Sequence, residues 1–307
     1  MDDLSSRLSY YRPSGVAPIS GVIATLFIGA VVGIALSAVY AYIVFYDPFI
    51  YINALAILFF GALTGHVIAK GTHIFRIRSP FAAGLIGTVV FILAYTAHWF
   101  VYLSVIVTDS AFQPAMIIQN AFKLMRNLPL AWSVVCYIYE NGVWSLRSGS
   151  NVSGYFLLVV WAAEALALFV SLIVSSVDKT RSPYSERQDK WIDQEILPQP
   201  ITYIEDKDEF KRALANGDFS ALTVKFIPDD DAGGETAGGS GKQEINFATV
   251  TLYSDTPDSY VTIQNVSNTI AKNKRSKQSV DTVVQYLKIP QTVAQNIKFV
   301  LKEPLIK

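Results

Sequence analysis

The run VVWAAEALALFV, from Val159 to Val170, is apolar except at Glu164. A carboxylate near the middle of a bilayer costs about 2.5–3.5 kcal/mol on insertion scales, so a residue kept there calls for a chemical reason. Three reasons are open: a neutral carboxyl hydrogen-bonding a neighbouring helix, a group that takes up protons or ions, and a contact to a partner's membrane helix. His98, in the apolar run from Pro80 to Val107, is the titratable side chain nearest in depth, about 10 Å below the outer face against about 15 Å for Glu164 at 1.5 Å per residue. Glu164 and His98 are therefore the candidate intramembrane polar site.

Other residues with chemical potential lead less far. KNKRSK, Lys272 to Lys277, offers Lys272, Lys274, Arg275 and Lys277 to anionic lipid headgroups, or forms a solvated turn. GGETAGGSGK is rich in glycine and ends in lysine, but its spacing is wrong for a phosphate-binding loop and no helical pattern follows it. Neither an H-E-x-x-H zinc motif nor a G-x-S-x-G nucleophile elbow occurs. Asp47 and Asp109 both fall at span edges, which excludes the paired embedded aspartates of an intramembrane aspartyl enzyme. Asn151-Val152-Ser153 fits the glycosylation triplet but lies directly beside an apolar span. The expectation is a protein without catalytic residues, cofactor or bound metal. The single Cys136 rules out a disulfide framework and a cysteine-based zinc site within one chain.

Composition explains what must position these residues. Hydrophobic residues make up 51% of the chain and charged residues 16%, and mean hydropathy is +0.34, which indicates a membrane protein. Formal net charge is zero, so the broad basic field of a nucleic-acid binder is missing. A span needs about 20 apolar residues, and four segments qualify: 18–46, 50–69, 80–107 and 154–177. Pro80 suits the first turn of the third, where its missing N–H is no loss.

Arg7, Arg12, Lys70, Arg76, Arg78, Lys179, Arg181, Arg187 and Lys190 lie beside one set of span ends, and the first connection, at Asp47-Pro48, has no basic residue. Positive charge is retained on the cytoplasmic side, so a multi-pass protein of the cell membrane with both termini in the cytoplasm is expected. Tyr40, Tyr42, Tyr46, Tyr51, Trp99, Tyr102, Trp144 and Tyr155 read as an aromatic belt at the outer surface. Small residues recur every fourth position at Gly21, Thr25, Gly29, Gly33, Ser37 and Ala41, and again at Gly61, Gly65 and Ala69. Such stripes let helix backbones approach closely, either within the chain or between copies, and Gly29, Gly33, Gly61 and Gly65 are the candidate packing positions.

The connection before the fourth span is too apolar for a plain loop. Residues 112–140 predict an interfacial or re-entrant element on the outer face, with Trp132, Tyr137 and Tyr139 at headgroup depth. Residues 1–17 form a cytosolic N-terminal tail, and 178–200, charged and broken by proline, a juxtamembrane linker. A small α+β domain fills 201–307. Asp206 caps a helix ended by Asn216-Gly217, and alternation predicts strands at Leu222 to Phe226, Ile245 to Ser254 and Tyr260 to Val266. The segment 229–242 is a hairpin loop by composition. Val280, Val283, Val284 and Leu287 are spaced for a helix face, and Val293 to Leu301 for a second helix.

The resulting fold class is an α-helical membrane protein, four transmembrane helices carrying a small cytosolic α+β C-terminal domain. Its expected role is a non-enzymatic anchor or scaffold that presents this domain to partners. The alternative is a transport or ion-coupling component built on Glu164 and His98. Membrane lipid, other membrane proteins or a second copy are the expected partners, and nucleic acid is not.

Overall fold

A computed structural model of the chain describes residues 8–46, 50–108, 113–142, 152–226, 242–255, 258–271 and 277–302. The chain divides into two units, residues 13–181 and residues 1–12 with 182–307.

The first unit is helical. Helices α1 (Ile19–Tyr46), α2 (Ile50–Ile74), α3 (Pro80–Thr108) and α6 (Gly154–Asp178) are each long and apolar enough to cross a membrane. Pro114–Arg126 and Leu128–Asn141 form two shorter helices, α4 and α5, too short to cross, joined at Asn127, whose side chain accepts from the Leu130 backbone N–H and starts α5. A single 3-10 turn, Lys179–Arg181, follows α6. Each of α1 and α6 packs on both α2 and α3, so the four long helices close a ring with α1 and α6 at opposite corners. The most apolar stretches of α1 and α6 are only 22% and 17% buried, which leaves broad hydrocarbon surfaces facing outward.

Ring closure relies on small side chains. A Cβ at Gly29 would sit 3.0 Å from Ile68 of α2 and 3.1 Å from Val90 of α3, and one at Gly33 would sit 3.2 Å from Ala94. On α2, Gly61 and Gly65 leave room for Ser171 and Ser175 of α6, 2.8 and 2.6 Å from the missing Cβ atoms. Both stripes are thus occupied by contacts within the bundle, the arrangement expected where lipid supplies no hydrophobic force to join helices.

The second unit is a meander of three thirteen-residue strands, β5 (Lys242–Ser254), β6 (Ser259–Ala271) and β7 (Lys277–Ile289), all antiparallel. Short strands β3 (Gln194–Ile196) and β4 (Ile201–Thr202) pair with β5, while β1 (Tyr184–Ser185) and β2 (Lys190–Trp191) pair with each other. Helix α7 (Lys207–Ala215) begins at Asp206, whose carboxylate accepts from the backbone N–H groups of Asp208 and Glu209, and stops at Gly217, whose φ of +83° suits glycine. Together with α8 (Gln291–Lys302) it covers one face of the sheet, where Ile201, Phe210, Leu214, Leu222, Leu252, Ile263, Leu287, Ile297 and Leu301 form the core. The buried Asn265 side chain accepts from the Ile204 N–H and donates to its carbonyl, holding the approach to α7 as a neighbouring strand would.

Four expectations change here. Residues 178–200 are no free linker, because they carry β1 to β3 and β3 is stitched to β5. The N-terminal tail is not separate either: Leu8 enters the core, the Lys288 N–H donates to the Ser9 carbonyl and the Tyr11 N–H to the Tyr286 carbonyl, with Tyr10 bridging Leu287. Ser220–Thr223 is a 3-10 turn rather than the start of a strand. The segment read as a helix around Val280 to Leu287 is β7. Register shifts between Val261 and Gln264 on β6 add residues to β7, so Val283 and Val284 are buried in succession and Leu287 follows three later. That spacing imitates a helix face, and the bulge that produces it holds Tyr286 at φ +53°. The first outer turn at Asp47-Pro48, Asp109, Trp144, Asn151 and residues 229–241 lie outside the described residues.

Candidate functional site

Along α6, Leu157, Trp161, Glu164, Leu168 and Leu172 recur at steps of three and four, and Leu157, Leu168 and Leu172 are fully buried. Glu164 therefore sits on the inward face of the helix, partly buried. It lies ten residues from the first residue of α6, and His98 lies ten residues from the last residue of α3, so both are about 15 Å along their helices from those ends. Helix α3 ends at Thr108, one residue beyond the expected Val107, which accounts for about 1.5 Å of the greater depth of His98.

Equal depth does not make them partners. The group that meets Glu164 is Tyr40 of α1, whose hydroxyl reaches toward the carboxyl across the bundle interior. Its oxygen is buried and has no partner at full hydrogen-bonding geometry, so the two groups face each other at loose reach. The Tyr40 ring lies on His98, with centroids 4.7 Å apart. His98 donates to the backbone carbonyl of Ser37, and its Nδ1 is buried without a partner. The order in space is Glu164, Tyr40, His98, and it draws on three helices.

Aromatic side chains wall this row. His98 stacks on Tyr102 at 5.8 Å, Trp99 meets Trp161 edge-on at 4.8 Å, and the Tyr95 hydroxyl donates to the Trp161 carbonyl at 3.4 Å. Below them Phe91 meets Phe169 edge-on at 5.2 Å. Rings from α3 and α6 thus fix the helix carrying Glu164 against the helix carrying His98, an arrangement that aromatic pairs favour. Such a site can hold a hydrogen-bonded carboxyl, or pass a proton among carboxyl, phenol and imidazole, because all three groups both donate and accept when neutral.

Tyr40 and Tyr102 are corrections to the outer belt read from the sequence. Both are almost completely buried, whereas Tyr46 and Tyr51 are exposed. The inward direction of Tyr40 was available from spacing, since it follows Gly33 by seven residues and Ser37 by three, on the face of the small-residue stripe.

Elsewhere the candidates scatter. Lys277 opens β7 with its side chain exposed, and Lys272, Lys274 and Arg275 lie outside the described residues. A polar cleft of about 490 Å³ in the sheet unit is lined by Tyr10, Tyr11, Tyr184 and Tyr260 among others. Arg12, Arg187 and Lys288 there are matched by Glu186, Asp255 and Asp258, with Lys288 paired to Asp258 at 2.7 Å, so the cleft selects neither anion nor cation. Among the described residues, no group of three or more His, Cys, Asp or Glu side chains is placed to hold a metal ion. Compared with known protein families, curated proteins and solved structures, the chain matches none.

Proposed function

We propose that this chain is a non-enzymatic integral membrane anchor, which holds the sheet unit at the cytoplasmic face and offers it to partner proteins. The observation that carries the reading is the pairing of residues 9–11 with residues 286–288. Residues that share one small sheet lie on one side of a membrane, so an even number of crossings separates them. Four crossings by α1, α2, α3 and α6 satisfy this, with α4 and α5 remaining on the outer side. The distribution of Lys and Arg makes the shared side cytoplasmic. In this arrangement the outward apolar surfaces of α1 and α6 meet lipid.

A second reading, ion or proton coupling through Glu164, is favoured by one observation, the buried Tyr40 Oη and His98 Nδ1 left without partners beside it. Glu164→Gln separates the two readings, because glutamine keeps the hydrogen bonding of a neutral carboxyl and cannot titrate. For an anchor, Gln preserves abundance and co-purifying partners from native membrane, Glu164→Leu lowers abundance, and removing residues 182–307 releases the partners. A variant with Gln that is folded and abundant yet has lost its membrane phenotype overturns the anchor in favour of coupling.

A further inference from the structure

Four buried polar atoms of the helical unit have no partner and lie on inward helix faces: Asn53 Oδ1 and Thr64 Oγ1 on α2, Tyr40 Oη on α1 and His98 Nδ1 on α3. Each of these residues is more than nine-tenths buried. Counted from the helix ends that the proposed topology places outside, Asn53 is three residues in, Tyr40 six, His98 ten and Thr64 fourteen, with Glu164 ten residues in on α6. The spread is about 16 Å at 1.5 Å per residue. A single cation is held by oxygens about 2.0–2.6 Å away, so these atoms are too dispersed to be the ligands of one ion. Successive levels differ by three or four residues, about 4.5–6 Å, which one water molecule spans with two hydrogen bonds of about 2.8 Å.

A different layer follows beneath. A Cβ at Gly33 would lie 3.2 Å from Ala94 and 3.5 Å from Thr64, so these three residues mark one level. One turn further along α1, a Cβ at Gly29 would lie 3.0 Å from Ile68 and 3.1 Å from Val90, which leaves no room between the helices. Ile68, Val90 and Leu172 are fully buried there and belong to one apolar cluster. Thr25, whose hydroxyl is also buried without a partner, lies beyond that layer, against Gly71. A close-packed apolar layer thus divides the polar interior of the bundle, and Glu164 is on the side of Asn53.

We propose that ordered water reaches Glu164 from the outer side of the membrane alone, held by Asn53, Tyr40, His98 and Thr64 and stopped by the layer at Gly29, Ile68, Val90 and Leu172. The inference rests on the membrane reading above and deepens the account of the Glu164 site. Buried polar atoms are ordinarily paired by protein or by ordered water, and a buried water needs two to four polar partners, which these atoms and the Glu164 carboxyl supply. The layer beneath offers none and stays dry. Any proton that Glu164 takes up or releases then passes between its carboxyl and the outer water, with Tyr40, Tyr95, His98 and Tyr102 as the titratable groups of the row and its wall.

The test uses the full chain with Cys136→Ser, so that one introduced cysteine is the only thiol, in sealed vesicles sorted by the side on which a protease cleaves a C-terminal tag. Silver ion is the probe, because it is small enough to follow water along a narrow path and is trapped by a thiolate. After silver is added on one side, the remaining free thiol is alkylated in the unfolded protein and measured by mass spectrometry. Asn53→Cys and Thr64→Cys should lose most of their free thiol to silver on the side away from the tag and keep it when silver is on the tag side. Ile68→Cys, four residues beyond Thr64, should keep its thiol against silver from either side. Thr64→Cys protected from both sides while Asn53→Cys reacts overturns the water path and leaves the membrane reading intact. Loss of the thiol of Thr64→Cys or Ile68→Cys to silver on the tag side overturns the layer. Asn53→Cys reacting from the tag side overturns the four-crossing topology itself. Radiolytic footprinting of the unsubstituted chain keeps the proposal open to refutation if a cysteine variant fails to fold, since radicals made from bound water oxidise their neighbours. Tyr40 and Tyr102 should be oxidised several-fold more than Phe91 and Phe169 near the level of the layer, and equal oxidation overturns the proposal.

Discussion

In the helical unit the closest contacts occur where side chains are smallest, as between Gly65 and Ser175, whereas the sheet unit is held by branched aliphatic residues such as Ile201, Leu252, Ile263 and Leu287. The units differ in their polar interiors as well. Among the described residues, the helical unit leaves Thr25 Oγ1, Tyr40 Oη, Asn53 Oδ1, Thr64 Oγ1 and His98 Nδ1 buried without partners, and the sheet unit leaves Ser259 Oγ. Water drives aliphatic side chains into a core and penalises every unpaired group taken from it. On the membrane reading proposed above, the helical bundle lacks that drive, so close backbone approach would hold it together and its polar groups would turn inward. The same contrast makes the polar row at Glu164 the conspicuous site in one unit and a balanced polar cleft the counterpart in the other.

Breaking the comparison starts with the sheet core. Ile263→Ala, at a fully buried position, should destabilise the sheet unit by about 2–5 kcal/mol, read as faster hydrogen exchange of β6 amides in the detergent-solubilised chain. Exchange in α2 and α3 should be unchanged. The opposite change, adding one carbon, tests the bundle. Gly65→Ala places a Cβ 2.6 Å from that of Ser175 and should cost about 1–3 kcal/mol, whereas Gly84→Ala, whose nearest neighbour is 3.7 Å away, should cost little. Thermal unfolding of both variants in the same detergent is the measurement, and equal stabilities would remove small-residue packing as the basis of the bundle.

The smallest effect lies on the surface of the sheet unit. Hydrogen bonds from Lys298 and then Lys302 hold the Glu195 carboxyl below its usual range, with contacts of 2.6 and 2.7 Å. A carboxylate whose pKa is depressed on folding stabilises the folded state above its unfolded pKa of about 4.3 and loses that contribution as pH falls through the folded value. Glu195→Gln should therefore lower stability at neutral pH by less than about 1 kcal/mol and flatten the acid limb of the stability profile below pH of about 4.

Legibility in the sequence followed the range of the interactions. The four long helices were readable because hydropathy over twenty residues is a local quantity, and so were the Asp206 cap and the turn at Gly217. Strand β7 was not, because its bulges shift the two-residue alternation into a helix-like spacing at Val283, Val284 and Leu287. Strands of two or three residues between Tyr184 and Ile196 are too short to show any period. At the candidate site Glu164 and His98 were conspicuous as polar residues in apolar runs. Tyr40, which stands between them, resembled the interfacial tyrosines at positions 42 and 46, and only its place on the small-residue stripe with Gly33 and Ser37 sets it apart from them in the sequence.

The pairing of Tyr10 with Leu287 joins positions 277 residues apart. A ribosome adding roughly 5–20 residues per second needs on the order of 14 to 55 s to make the strand that the first residues pair with. Until then Leu8 has no core to enter, and α1 through α6 are synthesised ahead of the closing contact. Completion of the sheet therefore waits on β7, and a product cut short before it leaves residues 9–11 without their partner strand and Leu8 without its core.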